Sequence, residues 1–253
     1  MTIFNRVLLM QLRKMYQKQG LTSLTLYLLN VFNCRVIKRY CRGSYSQKGE
    51  DLIINKYFNF KTHGFYIDVG ASHPRTFSNT KLFYDKGWRG INIEPSPDSI
   101  DLFSQDRERD TNLNIGIGSQ SENALFYEFE AAAVSTFSQT KAQMLLDVGY
   151  KLRRTIDIQV YRLKEIMDQY PTSTIDFMSV DTEGFEIDVL QSNDWDKYRP
   201  QLLCIETIDF VNLLRSGTGD SGRKDSIDKY LLSQGYEEYF SNGLNTLYRD
   251  INV

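Results

Sequence analysis

Four short apolar runs in this 253-residue chain end in a carboxylate, or in a carboxylate beside a glycine. The first reads Tyr66-Ile67-Asp68-Val69-Gly70-Ala71-Ser72 and the second closes at Glu94-Pro95. Another runs into Asp181-Thr182-Glu183-Gly184, and the last into Ile205-Glu206-Thr207. If these runs are parallel strands of an open α/β sheet, their carboxyl ends face the crevice where such sheets bind ligands. A glycine just after the first strand lets the chain turn sharply while a ligand approaches its backbone. Glu94, 24 residues beyond Gly70, stands where such folds hydrogen-bond ribose hydroxyls.

The loop narrows the choice of nucleotide. Gly-x-Gly-x-x-Gly needs three glycines to seat a pyrophosphate on a helix N-terminus, and Gly70-Ala71-Ser72-His73-Pro74-Arg75 has one. Nicotinamide and flavin dinucleotides are disfavoured. A Gly-x-x-x-x-Gly-Lys-Ser/Thr loop is also missing, so nucleoside triphosphates lack their usual cradle. S-adenosylmethionine carries a ribose, no phosphate and an amino-acid end. It asks for a ribose acceptor, a close-approach glycine and further polar groups, an inventory this sequence contains.

The elements that must position these groups follow from periodicity. Strands are expected at Phe65–Val69, Ile91–Glu94, Leu113–Ile117, Ile175–Val180 and Leu202–Glu206, with helices at Thr76–Lys86, Pro97–Arg107, Phe185–Leu190 and Asp225–Gln234. That alternation predicts βαβ units around a mostly parallel sheet. Leu125–Phe129 and Ile156–Tyr161 alternate like strands outside this rhythm. Tyr236–Phe240, the turn Ser241-Asn242-Gly243 and Asn245–Arg249 predict a β-hairpin, because Asn-Gly tolerates the positive φ of a tight turn.

Composition limits the surroundings. Hydrophobic residues make up 41% of the chain and the net charge is −2, which supplies a core and gives no global attraction to nucleic acid. Charge is unevenly placed: residues 1–49 hold nine Lys or Arg and no Asp or Glu, against 21 basic and 32 acidic residues in the remainder. Phe4, Leu8, Leu12 and Met15 recur at helical spacing. Residues 1–43 are therefore expected to form a basic helical extension ahead of one domain at 44–253, either docked on that domain or lying on an anionic membrane surface. The apolar stretch Leu21 to Ile37 is interrupted too often to span a bilayer, and no small-residue cleavage site marks it as a signal peptide. Cys34, Cys41 and Cys204 make no disulfide framework, and His63 and His73 no zinc spacing, so a reducing, cytoplasmic setting is expected.

At this point the residues resemble a family. Ser46-Gln47-Lys48-Gly49-Glu50-Asp51, Asp68-Val69-Gly70-Ala71 with Pro74 and Ser78-Asn79-Thr80, and Gly87-Trp88-Arg89-Gly90-Ile91-Asn92-Ile93-Glu94-Pro95 are similar to blocks of the FkbM-type methyltransferases. Asp176-Phe177 leading to Asp181-Thr182-Glu183-Gly184-Phe185-Glu186, and Tyr198-Arg199-Pro200, extend the likeness over about residues 44 to 210. The resemblance implies a Rossmann-like seven-stranded methyltransferase sheet with an antiparallel C-terminal hairpin. It also implies O-methylation of a hydroxyl, on a sugar of a glycan or glycolipid or on a polyketide. A noncatalytic carbohydrate- or nucleotide-binding protein on the same sheet is the reading from another class.

Roles follow. Gly70 and Glu94 are expected to hold the cofactor, and Asp68 to orient the loop or receive the methionine ammonium. By analogy with the family motif, Gln47, Ser78 and Asn79 would hold the amino-acid end. Glu50 and Asp51 equally suit a helix first turn, and Asn114 lies where the third strand could reach adenine or ribose. An alcohol is a poor nucleophile until its proton is removed or its oxygen is bound to a metal. Asp181, Glu183 and His73 are the candidate bases, with Asp181 and Glu206 the alternative oxygen ligands for Mg2+.

Overall fold

The computed structural model describes residues 43–170, 174–208 and 221–252. The expected N-terminal helical extension, with its amphipathic run, lies outside the described residues apart from Gly43. The remaining chain runs α1 (Glu50–Tyr57), β1 (Phe65–Val69), α2 (Lys81–Asp85), β2 (Arg89–Ile93), α3 (Pro97–Asp106), β3 (Thr111–Leu113), β4 (Gly116–Ile117) and β5 (Glu122–Phe129). There follow a 3-10 turn at Ala132–Val134, α4 (Gln139–Asp147), β6 (Leu152–Tyr161), α5 (Leu163–Gln169), β7 (Phe177–Val180), α6 (Glu186–Gln191), β8 (Leu202–Glu206), α7 (Ser221–Ser233), β9 (Tyr236–Ser241) and β10 (Asn245–Asp250).

Seven strands form one Rossmann-like sheet in the order β3-β2-β1-β7-β8-β10-β9. The first five are parallel, β10 is antiparallel to β8, and β9 to β10. The central strands read as nearly continuous apolar runs because both faces are covered. From β1, Ile67 and Val69 join Met178, Val180, Leu203 and Ile205 in one core. Tyr66 joins Phe177, Leu202, Cys204, Trp88 and Phe83 in the other. Period-two alternation thus divides each strand between two cores. The expected hairpin is present. Gly243 has φ 79°, and Asn242 Oδ1 accepts the N–H groups of Leu244 at 3.0 Å and Asn245 at 2.9 Å.

Two expectations need correction. Leu113–Ile117 is two strands in two sheets: β3 closes the large sheet, while β4 belongs to a smaller sheet of order β4-β6-β5. Asn114 turns the chain between them, its Nδ2 donating to the carbonyls of Glu94 at 3.0 Å and Pro95 at 2.8 Å. Gly116, the first residue of β4, packs so closely that a Cβ would lie 2.7 Å from Phe137 Cζ. The runs Leu125–Phe129 and Ile156–Tyr161 are the cores of β5 and β6, which pair antiparallel. The helix expected over Thr76–Lys86 begins only at Lys81. Phe77 has a left-handed φ of 58°, and the Ser78 hydroxyl accepts the Thr80 and Lys81 N–H groups that a continuous helix would bond to its own carbonyls. Helices α4 and α5, absent from the periodicity reading, flank β6.

Candidate active site

The chain leaves β1 toward β2 on one side and β7 toward β8 on the other, so a crevice opens where these neighbouring strands end. Gly70 and Asp181 meet there. Gly70 has φ 77°, and a Cβ on it would lie 1.8 Å from the Asp181 carbonyl oxygen. The Gly70 and Ala71 N–H groups both donate to the Ile93 carbonyl, at 2.9 and 3.1 Å. The turn after β1 is thereby fastened to the end of β2, where Glu94 stands.

Glu94 is 6% exposed. Its Oε2 accepts the Ser72 N–H at 2.8 Å and its Oε1 the Ser96 N–H at 2.8 Å. Burial pushes its carboxyl up to about 7, against the pull of those two donors. Each oxygen retains a lone pair for a further donor. Ser96 continues the network, donating its hydroxyl to buried Glu128 of β5, which Arg154 of β6 also binds. The smaller sheet is in this way hydrogen-bonded to the carboxylate that closes β2.

Asp68 is buried beneath the next loop. It accepts the Thr80 hydroxyl at 2.7 Å, and burial pushes it up to about 6, with the Thr80 and Ser179 hydroxyls pulling the other way. Asn79 donates through Nδ2 to Ser179 Oγ at 3.1 Å and to Cys204 Sγ at 3.7 Å. It therefore bridges β7 and β8. Ser78 is buried, its hydroxyl bound to local backbone. Gln47 is exposed. Asp51 gathers the loop ahead of α1, accepting Ser44 Oγ and Tyr45 N–H at 2.6 Å each. Glu50 accepts Asn242 Nδ2 at 2.7 Å and Asn245 Nδ2 at 2.8 Å from the C-terminal hairpin. His73 Nδ1 accepts the N–H groups of Arg75 at 3.0 Å and Thr76 at 3.1 Å, which engages one of its two ring nitrogens in the loop.

At the ends of β7 and β8 the structure brings Asp181, Glu183 and Glu206 together, with one ligand oxygen from each lying within 4.8 Å of the others. Asp181 Oδ1 is buried and has no hydrogen-bond partner among the described residues. Burial, and then the Glu183 and Glu186 carboxylates, hold the Asp181 carboxyl well above the usual range. Burial and then Asp181 do the same to Glu206. Glu183, at a left-handed φ of 54°, is ion-paired to Lys141 of α4. Burial still raises it despite that cation. Arg223 of α7 pairs with Glu186 and, at 3.2 Å, with Glu206. Glu186 also fixes the β7–α6 turn by accepting the N–H groups of Thr182 at 2.9 Å and Gly184 at 3.2 Å. Among the described residues, four buried or half-buried carboxylates are thus matched by two cations, and neither ion-pairs with Asp181. Such a group takes up a proton more readily than an ordinary carboxylate. The three converging oxygens are also donors of the type that hard divalent ions take.

Lys141, Arg223, Arg107 and Ser179 belong to this site and were not among the residues picked from sequence. Each reaches it by long-range packing, and an isolated Lys, Arg or Ser in a helix or strand carries no spacing signal of its own.

A family model described as the methyltransferase FkbM domain matches residues 68–238. Among solved structures, the METTL16 methyltransferase domain is similar with a TM-score of 0.41 at 11% identity, covering 80% of this chain and 66% of that one. The Burkholderia thailandensis 1,6-didemethyltoxoflavin-N1-methyltransferase, with 1,6-didemethyltoxoflavin and S-adenosylhomocysteine bound, has a TM-score of 0.40 at 11% identity, covering 90% and 87%. The Bacillus cereus O-methyltransferase in complex with S-adenosylhomocysteine has a TM-score of 0.37 at 9% identity, covering 93% of each chain. No curated protein matches the chain at a significant level.

Proposed function

The chain belongs to the FkbM methyltransferase family, and from that premise we propose that it is an S-adenosylmethionine-dependent O-methyltransferase acting on a sugar hydroxyl of a glycan or glycolipid. The observation that carries the reading is Asp181 at the end of β7, whose buried Oδ1 has no hydrogen-bond partner among the described residues, beside the turn that Gly70 makes possible.

The residues present fit the cofactor. Gly70 lets the turn after β1 pack against the Asp181 carbonyl, Glu94 offers lone pairs to the two ribose hydroxyls, and Gln47, Asp68, Ser78 and Asn79 belong to the loops assigned to the amino-acid end. Asn114 is spent on the Glu94 and Pro95 carbonyls just after β2, so its part is to shape the adenine side. When bound, S-adenosylmethionine supplies an electrophilic methyl group on a sulfonium. The protein's task is to hold the acceptor oxygen in line and take its proton. Asp181 is assigned that proton. Lys141 pairs with Glu183, whose carboxylate oxygens can accept a hydrogen bond from a neighbouring hydroxyl. Glu206, held by Arg223, lies one strand over. A pocket of carboxylates suits a polyhydroxyl acceptor better than an apolar polyketide. His73, with Nδ1 bound to loop backbone, is the weaker base.

Calorimetric titration with S-adenosylmethionine, followed by product mass analysis after incubation with glycan and glycolipid acceptors, tests this. Cofactor binding with no transfer to any acceptor would favour a noncatalytic binding protein. A second reading uses the same oxygens: Asp181 and Glu206, with Glu183, as Mg2+ ligands, supported by their convergence within 4.8 Å. Chelation decides, since turnover that survives exhaustive chelation leaves the base mechanism.

No helix among the described residues is long and apolar enough to cross a membrane. The basic residues 1–43 support peripheral contact with an anionic inner leaflet from the cytoplasmic side, each Lys or Arg contributing about 1 kcal/mol before screening. Full-length protein should sediment with anionic but not neutral vesicles, and a chain starting at Ser44 should not. Total charge supports no nucleic-acid partner.

A further inference from the structure

Arg107 follows the last residue of α3 and is fully buried, although its guanidinium is permanently charged. Burying such a group is costly unless every donor is satisfied. Its partners lie almost entirely on one loop. Nε and Nη2 donate to the Pro74 carbonyl at 3.1 and 2.6 Å. Nη2 also donates to Ser78 Oγ at 3.1 Å, and Nη1 to Thr80 Oγ1 at 3.4 Å and Tyr66 OH at 2.9 Å. The counter-charge is Asp110, 3.8 Å from Nη1 and also buried, which accepts the Gly90 N–H at 2.9 Å and Asn92 Nδ2 at 3.0 Å.

The loop so held carries the cofactor candidates of the β1 end. Arg107 grips it at Pro74 and Ser78, on either side of Phe77, whose left-handed φ of 58° is an outlier for a bulky residue and whose side chain is 46% exposed. Strained backbone of this kind persists only where its surroundings over-determine it. Beyond the grip, Thr80 accepts from Arg107 and donates its own proton to Asp68, and Asn79 is directed to Ser179. The guanidinium fork therefore fixes the loop and, through Thr80, the Asp68 carboxylate in one arrangement.

We propose that Arg107 is a positioning residue for the cofactor: by clamping Pro74, Ser78 and Thr80 it sets the loop that receives the amino-acid end of S-adenosylmethionine. The inference rests on the cofactor reading above, and it assigns Arg107 no contact with the reacting atoms. Lysine keeps the charge but loses the planar fork, so Arg107→Lys releases the clamp.

The test compares S-adenosylhomocysteine with 5′-methylthioadenosine, which has the nucleoside and the sulfur but no amino-acid end. Wild-type protein should bind both by calorimetry; if it binds neither, the cofactor reading fails and the inference with it. Arg107→Lys, with cooperative unfolding retained, should bind S-adenosylhomocysteine about tenfold or more weakly and methylthioadenosine within about threefold of wild type. In turnover, KM for the cofactor should rise while KM for the acceptor is unchanged. Should Arg107→Lys fail to fold, Thr80→Val removes one acceptor of the fork and should reproduce the selective loss. Equal loss of both ligands in folded variants, or no loss of either, overturns the proposal, since a merely structural arginine would not discriminate between the two ends of the cofactor.

Discussion

Replacing Glu94 by alanine removes the acceptor assigned to the ribose. A hydrogen bond to a charged group contributes about 1.5–3 kcal/mol net, and every 1.4 kcal/mol is about tenfold in affinity. Glu94→Ala should therefore weaken S-adenosylmethionine binding roughly tenfold to a hundredfold. Its pH dependence is the sharper signature. With its carboxyl up at about 7 in the free protein, Glu94 is largely protonated below neutrality. Ribose hydroxyls donate to the ionised form, so binding lowers that value and releases a proton below pH 7. Affinity should fall as pH falls from 8 to 6, by at most about tenfold per unit below 7. In Glu94→Gln that component should vanish, and the difference between the two proteins cancels titration of the ligand. Calorimetry in two buffers of different ionisation enthalpy at pH 6.5 reads the proton directly. A dissociation constant within about twofold of wild type in Glu94→Ala, or identical pH profiles for wild type and Glu94→Gln, would refute the assignment.

The same carboxyl makes a stability prediction. Folded-state protonation of Glu94 stabilises the protein fully below the ordinary value of 4.5, and this contribution is lost as pH rises through about 7. Chemical denaturation of wild type relative to Glu94→Gln should then lose up to about 3 kcal/mol between pH 4.5 and 7.5. Asp181→Asn should reduce turnover by about a hundredfold or more while raising the melting temperature, because it removes a buried carboxylate that faces other carboxylates. Gly70→Ala forces a Cβ onto the Asp181 carbonyl at an unfavourable φ, and urea unfolding should find it destabilised by about 3 kcal/mol or more. Lys141→Met strands Glu183 without its cation and should cost about 3 kcal/mol; adding Glu183→Gln should restore most of that loss in the same assay.

The strand ends were legible because a carboxylate closing a β-branched run stands out against the apolar pattern, and the observed β1, β7 and β8 ends carry Asp68, Asp181 and Glu206 as read. Leu202–Glu206 was placed to the residue. Legibility failed where tertiary contacts override local preference. Leu113–Ile117 reads as one strand, since nothing in five residues records that Asn114 will bond the carbonyls after β2 and turn the chain into another sheet. Thr76–Lys86 has helical periodicity, yet the Ser78 hydroxyl and the Arg107 fork divert its first turn. The cations were hidden for a related reason: Lys141 reaches Glu183 from 42 residues upstream, and Arg223 reaches Glu206 from 17 residues downstream.

The position of β10 bears on how the protein is made. It follows every other strand of the described residues, yet it sits inside the sheet, between β8 and β9. Until the ribosome has delivered it, β8 presents an unpaired edge of Leu202, Leu203, Cys204 and Ile205, the sort of template on which a second nascent chain can add a strand. Glu50 waits as long for Asn242 and Asn245, which lie 192 and 195 residues away. Pairings so distant in sequence close late and slowly. Deleting β10, Asn245–Asp250, should therefore act before any question of catalysis arises, sending newly synthesised protein into aggregates and making β10 a determinant of soluble yield.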